Sequence, residues 1–208
     1  RQPATLDGRP GNPRVDRHVV QSGQSVRRMN HHAGALRWSE RLLEPVLGQD
    51  DQTWLFDAAS EWPSILLNLC DQARYRFWLY ERTLDHERYD TDVLRDRLSA
   101  LARRHRNSDI RFLIHDDRPL VERRHRLIEL MRRASSRVQL RLVNADHSLP
   151  DYACALIDQC GIAYRRQHDQ PAGFANFNAP ARVEMLANEF QRLWENARPS
   201  LELRHLAL

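Results

Sequence analysis

The sequence predicts an α/β fold, a mixed and mostly parallel β-sheet flanked by helices, and three observations carry that expectation. Short apolar runs alternate with stretches whose apolar residues recur at helical spacing, from Trp54 to Leu142. The resulting order of strand, helix, strand, helix, strand, helix, strand packs helices over parallel strands. After Pro150 the pattern changes to two apolar runs joined by a short turn, which adds antiparallel strands to the sheet.

Residues 1–30 are rich in Gly, Pro, Arg and Gln and carry no sustained period, so residues 1–50 are expected to form an N-terminal arm with one short helix between His31 and Leu47. Leu36, Leu42, Leu43, Val46 and Leu47 would dock that helix on the main domain, residues 51–208. Trp54-Leu55-Phe56 reads as the first strand. Ser60 is placed to cap a helix running to about Arg74, with Ile65, Leu66, Leu69, Cys70 and Ala73 on its apolar side. Arg76 to Tyr80 is a strand, a helix begins near Thr91 with Leu94, Leu98 and Leu101 inward, and Ile110 to Ile114 is the next strand. A third helix is expected from Leu120 to Ala134, followed by strand Val138 to Leu142. Tyr152 to Ile157, the turn Asp158-Gln159-Cys160-Gly161 and Ile162 to Tyr164 form a hairpin. A loop from Gln167 to Asn178 leads to a final helix carrying Val183, Leu186, Phe190, Leu193, Trp194 and Ala197, ended by Pro199.

Composition narrows the chemistry. All 32 basic side chains are arginine and none is lysine, against 28 acidic residues and a net charge of +4. Schiff-base chemistry and a lysine-bearing phosphate loop are therefore excluded, and cationic work falls to guanidinium groups that grip carboxylates or phosphates through a planar fork. Cys70, Cys154 and Cys160 lack metal-ligand spacing; Cys70 and Cys154 read as reduced core residues. His31-His32 and His115-Asp116-Asp117 contain metal-compatible atoms, but neighbouring side chains diverge, so neither a metal nor a cofactor is expected. No segment reaches the roughly 18 apolar residues needed to span a bilayer, which points to a cytoplasmic protein without a membrane span.

The last third carries a resemblance. The strand ending in Asp158, its Gly turn, the second strand, Gly173-Phe174-Ala175-Asn176 and Asn188-Glu189-Phe190 together resemble one half-domain of the phospholipase D-like superfamily, over about residues 52–208. In that family a strand bears His-x-Lys-x-x-x-x-Asp, and a downstream Gly-Ser-x-Asn leads toward an Asn-x-Glu or Asn-Glu segment. Matching Asp158 to the aspartate puts Asp151 where the histidine belongs and Ala153 where the lysine belongs. Phe174 replaces the serine, and the gap from Asp158 to Gly173 is longer than the family's. The resemblance implies phosphodiester chemistry through a histidine nucleophile and lysine stabilisation; here neither group is present at its place.

The candidate ligand-binding residues are Arg82, Asp85, Asp116, Arg124, His125, Asp158, Asn176 and Asn178. His125 is the only catalytic candidate among them, a weak one, set in Arg123-Arg124-His125-Arg126 after a strand exit where open sheets bind ligands. Arg82 either faces the crevice with Asp116 and Asp158 or pairs with Asp85 to order a turn. His168, among Gln167, Asp169 and Gln170, is expected to be exposed in its loop. Three functions follow: a non-catalytic module binding a phosphate-containing ligand or nucleic acid, an association module forming a homodimer or holding a protein partner, and a divergent phosphodiesterase using His125 or His168.

Overall fold

Apolar residues on both faces of the central strands decide the layering. The computed structural model describes residues 35–144 and 149–200. Strands β1 (Leu36–Arg37), β2 (Thr53–Phe56), β3 (Arg76–Thr83), β4 (Asp109–Asp116), β5 (Val138–Leu142), β6 (Ala153–Ile157), β7 (Gly161–Arg165), β8 (Gly173–Asn176) and β9 (Arg198–Pro199) form one sheet in the order β1-β2-β8-β7-β6-β3-β4-β5-β9. Its parallel heart is β3–β4–β5, and the hairpin strands and β8 join it antiparallel. In β3, alternate side chains serve opposite faces. Phe77 and Leu79 meet the core under α1 (Glu61–Gln72), α3 (Asp92–Arg104) and α5 (Arg126–Arg133), while Trp78 and Tyr80 meet the core under α6 (Pro180–Asn196). The mixed sheet flanked by helices is thus as the sequence predicts, with a broader antiparallel share.

Thr91 caps α3 as expected, its Oγ1 accepting from the Leu94 N–H at 3.2 Å. Ser60 occupies the cap position of α1, but its side chain makes no capping bond; the Glu61 carboxylate instead accepts from the Asp57 and Ala58 N–H groups.

Three expectations are corrected. The helix expected over Leu120–Ala134 is two helices, α4 (Arg118–Glu122) and α5, because the chain runs extended at Arg123 and His125 caps α5. The loop 167–178 contains β8, whose Gly173 is obligatory: a Cβ there would lie 2.1 Å from the Tyr164 carbonyl oxygen. Pro199 lies in β9 beside β5, and α6 already ends at Asn196.

The segment expected as a docking helix is a two-residue strand and a 3-10 turn, Trp38–Glu40; Leu42 is 96% and Leu43 82% exposed, while Trp38 fills the core and Leu47, as expected, packs against it. Strand β1 and Trp38 extend the sheet and its core ahead of residue 51. Residues 1–30 and His31-His32 lie outside the described residues. Cys70 and Cys154 are buried free thiols, and burial pushes the Cys70 thiol up to about 12. No helix among the described residues is long and apolar enough to cross a membrane.

Candidate functional site

The two ends of β3 separate the predicted site residues. At its start, the Asp158 carboxylate accepts the backbone N–H groups of Arg74 at 2.9 Å, Tyr75 at 3.0 Å and Arg76 at 3.0 Å, tying the hairpin turn to the strand. Asn176 lies near the same end, opposite Ile162. Its amide donates to the Asp51 carbonyl at 2.7 Å and its oxygen accepts from the Asn178 N–H at 2.8 Å. At the other end, Thr83 lies opposite Asp116, roughly 23 Å along the strand at its usual rise per residue. Asp158, Asn176 and Asn178 therefore do not converge with Arg82, Asp85, Asp116, Arg124 and His125. The reason is direction: β6 runs antiparallel to β3, so the residue ending β6 sits where β3 begins.

The candidates at the carboxyl end of β3 are separately engaged. Asp85 caps α2 (His86–Tyr89), accepting from the Arg88 N–H at 2.9 Å and from Arg88 Nε at 2.6 Å, so its arginine partner is Arg88 rather than Arg82. Arg82 is exposed. Asp116 is gripped by Arg118, which with its N–H holds the carboxylate below its ordinary range. Arg124 is exposed and pairs with Glu129 at 2.7 Å. His125 is fully buried, its Nδ1 accepting from the Leu127 N–H at 3.2 Å; burial holds the ring down at about 4. The His125 ring therefore sits in the core, with Nδ1 engaged as the cap of α5.

A different set converges. Glu81, Arg165 and His168 are 0, 3 and 4% exposed. Glu81 pairs with Arg165, accepts from the Tyr89 hydroxyl at 2.7 Å and the Arg82 N–H at 2.9 Å, and lies 3.0 Å from His168 Nδ1. Trp62 Nε1 donates to the Tyr89 hydroxyl at 2.8 Å, and the Arg165 guanidinium sits 4.5 Å over the Trp62 ring. Burial alone would raise the Glu81 pKa, but His168, Arg165 and Tyr89 outweigh it and the carboxyl stays ionised below its ordinary range.

A carboxylate on Nδ1 fixes that nitrogen as the donor, so in the neutral ring the lone pair is on Nε2. His168 Nε2 and Arg165 Nε are both buried and have no hydrogen-bond partner among the described residues. His168 had been expected to be exposed; its backbone N–H is bonded to the Asp151 carbonyl at 3.0 Å, which folds the loop inward.

Arg165 and His168 line a cleft of about 790 Å³ with Ser60, Trp62 and Pro63 at the amino end of α1, Glu87 and Arg88 of α2, and Asp169 and Pro171. The helix end adds positive potential there. Behind His168, its ring 5.1 Å away, His115 donates through Nε2 to the Tyr80 hydroxyl at 2.8 Å, which in turn donates to the Pro150 carbonyl. Burial first, then His168 and Arg82, lower the His115 pKa to about 4.

A family model described as "Domain of unknown function (DUF7931)" matches residues 58–206. The chain belongs to this family. No curated protein matches the DUF7931 chain by sequence. Among solved structures it is similar to TrmBL2, described as an archaeal chromatin protein with a novel mode of DNA binding, at 13% identity and a TM-score of 0.53. That match covers 71% of this chain and 54% of TrmBL2, so the DUF7931 chain spans about half that protein's length. It is similar to NucT from Helicobacter pylori at 9% identity and a TM-score of 0.50, covering 72% and 99% of the two chains. Nuc from Salmonella typhimurium, a phospholipase D family member, gives 16% identity, 72% and 97% coverage and a TM-score of 0.49. The DUF7931 chain shares its α/β fold with TrmBL2 and NucT.

In this DUF7931 chain the buried set was only partly visible in sequence. Glu81 stood beside Arg82 and His168 in the long loop, but Arg165, Tyr89 and Trp62 were missed. Arg165 did leave a signal: it closes the apolar run Ile162-Ala163-Tyr164, and a charge at the end of a buried strand needs a buried partner.

Proposed function

We propose that the chain is a phospholipase D-like module that binds a phosphate-bearing ligand in the cleft between α1, α2 and the 166–172 loop. The observation that carries this reading is the pair of buried, unpartnered donor and acceptor atoms, Arg165 Nε and His168 Nε2, on residues lining a cleft that also holds Arg88 and a helix amino end. Buried polar groups are rarely left without partners, and a phosphate oxygen would accept from Arg165 Nε, whose two terminal nitrogens already hold Glu81 and the His168 carbonyl. The DNA binding described for TrmBL2 makes a nucleic-acid phosphate one source to test.

Pyrophosphate and labelled single- and double-stranded oligonucleotides are titrated at several salt concentrations. Binding is expected to weaken as salt rises, and R88Q is expected to lose about tenfold, the scale of one charge-assisted hydrogen bond. No binding of any of the three at low salt overturns the proposal; retention of oligonucleotide alone would name a polynucleotide as the ligand.

A second reading, a divergent phosphodiesterase, is favoured by one contact. The His168 N–H bond to the Asp151 carbonyl brings a carboxylate-held imidazole beside the position where the family's histidine is absent. Hydrolysis of bis(p-nitrophenyl) phosphate, lost in H168Q with the fold retained, would support it; equal rates in both proteins would remove it.

A further inference from the structure

The geometry points to a divalent transition-metal site of the zinc type formed by His86, Asp90 and His125, separate from the phosphate cleft. His86 begins α2, Asp90 ends it, and His125 caps α5. One ligand atom from each lies within 4.8 Å of the others. Two separations are individually defined: His86 Nδ1 to Asp90 Oδ2 at 2.8 Å and His125 Nδ1 to Asp90 Oδ1 at 3.7 Å. Ligands about 2.0–2.1 Å from a tetrahedral zinc stand roughly 3.3 Å apart, close to each of those separations, although the two end on different oxygens of Asp90. Closing around an ion therefore needs side-chain adjustment only, with no rearrangement of either helix.

The surroundings fit the same chemistry. His86 Nε2 lies 2.8 Å from the Pro119 carbonyl, the outer partner that holds a metal-bound imidazole in the tautomer with its lone pair on Nδ1. Two imidazoles and one carboxylate suit zinc and its neighbours rather than magnesium or calcium, and three protein ligands leave a fourth position for water. His125 is fully buried, and its Nε2 has no hydrogen-bond partner among the described residues, so no hydrogen bond from that nitrogen holds the ring against turning. Because Nδ1 accepts from the Leu127 N–H, the neutral ring carries its hydrogen on Nε2, so binding through either nitrogen gives up the Leu127 cap: Nδ1 by turning its lone pair to the ion, Nε2 by a change of tautomer that places the hydrogen on Nδ1.

One cation already competes. The Arg126 guanidinium lies 3.3 Å from Asp90 Oδ2, but that side chain is 42% exposed and holds Asp92 through Nε at 2.9 Å, so it can release Asp90 and keep a carboxylate. The Arg126 N–H bond to Asp90 Oδ1, at 2.7 Å, leaves the other oxygen for the metal. An ion here would clamp α2 to α5. Because α2 carries Arg88 and Tyr89, it would also stiffen one wall of the cleft.

The test uses the whole chain after chelator treatment, titrated with Zn²⁺ by calorimetry and with Co²⁺ by visible absorption. One equivalent is expected to bind at micromolar concentration or tighter, with the d–d bands of four- or five-coordinate cobalt and a rise in Tm. H86Q and D90N, checked for folding by circular dichroism, are expected to lose more than the roughly 10–100-fold that removal of an outer partner costs. H105A, which removes an exposed histidine outside the cluster, is expected to bind as wild type. Absence of stoichiometric binding, or H86Q and D90N binding as tightly as wild type, overturns the site.

Discussion

Replacing Glu81 by glutamine tests whether the buried network holds the cleft together. Glu81 is fully buried and faces four donors: Arg165, Tyr89, His168 and the Arg82 N–H. An amide of the same shape cannot balance the Arg165 charge, and its NH₂ must face a donor. Breaking a buried pair by removing one partner costs about 3–5 kcal/mol because the remaining charge stays buried, a large part of the 5–15 kcal/mol that holds a typical domain folded. E81Q is therefore expected to lose about 3–5 kcal/mol in urea unfolding followed by tryptophan fluorescence and circular dichroism. The double variant E81Q/R165M removes the stranded charge and leaves a thioether to rest on Trp62, so it is expected to be more stable than the sum of the single losses by about 2 kcal/mol. A loss below about 1 kcal/mol for E81Q, or simple additivity in the double variant, would refute the reasoning.

The remaining predictions concern the frame around that network. D158A removes the acceptor for three N–H groups at the start of β3 and is expected to cost about 3 kcal/mol in urea unfolding, with D158N costing less; pyrophosphate affinity should stay within about twofold, since Asp158 is at the far end of the strand. R111K should cost about 1–2 kcal/mol by the same measurement, because a lysine cannot stack between Trp78 and Trp194 while bonding Gln191 and Asp109.

Stability should also fall in acid. The folded pKa of His115 is about 4, below its ordinary 6.5, so protonation favours the unfolded chain. Its contribution is complete above about pH 7 and is lost as pH falls from 6.5 toward 4, worth about 1–2 kcal/mol after discounting for its partial exposure. The lowered Glu81 pKa acts in the same direction, and H115Q is expected to flatten the thermal-melt profile over that window.

Periodicity made most of the fold legible. The strands β2 to β7 and the helices α1, α3 and α6 follow from local patterns of apolar residues, which burial on two faces of one sheet enforces. The break before α5 was not legible because it depends on Asp90, distant in sequence, taking the Arg126 N–H. Strand β8 was hidden because Gly-Phe-Ala-Asn has little strand character, and it is recruited by the two strands it lies between. The site failed for a related reason. Asp158 and Asn176 were chosen from a motif, but their hydrogen bonds are spent on turns, while Glu81, Arg165 and His168 meet only when β3, β7 and an inward-folded loop are assembled.

The absence of lysine has a physical counterpart on the α6 face. Arg76 and Arg111 lie 4.3 and 4.6 Å from the Trp78 ring, and Arg111 and Arg141 lie 5.1 and 4.7 Å from the Trp194 ring, so guanidinium and indole alternate across β3, β4 and β5 under the last helix. Each guanidinium also spends its edge: Arg76 on the Asp158 carbonyl, Arg111 on Asp109 and Gln191, and Arg141 on the Trp194 carbonyl. Only a planar cation can present a face to a ring and in-plane donors to oxygen at once. Arg165, between Trp62 and Glu81, repeats the arrangement beside the cleft, and its Nε, like that of Arg76, has no partner among the described residues. In Arg165 that open edge belongs to a residue lining the cleft beside Arg88 and the amino end of α1, and that is why the phosphate reading is placed there.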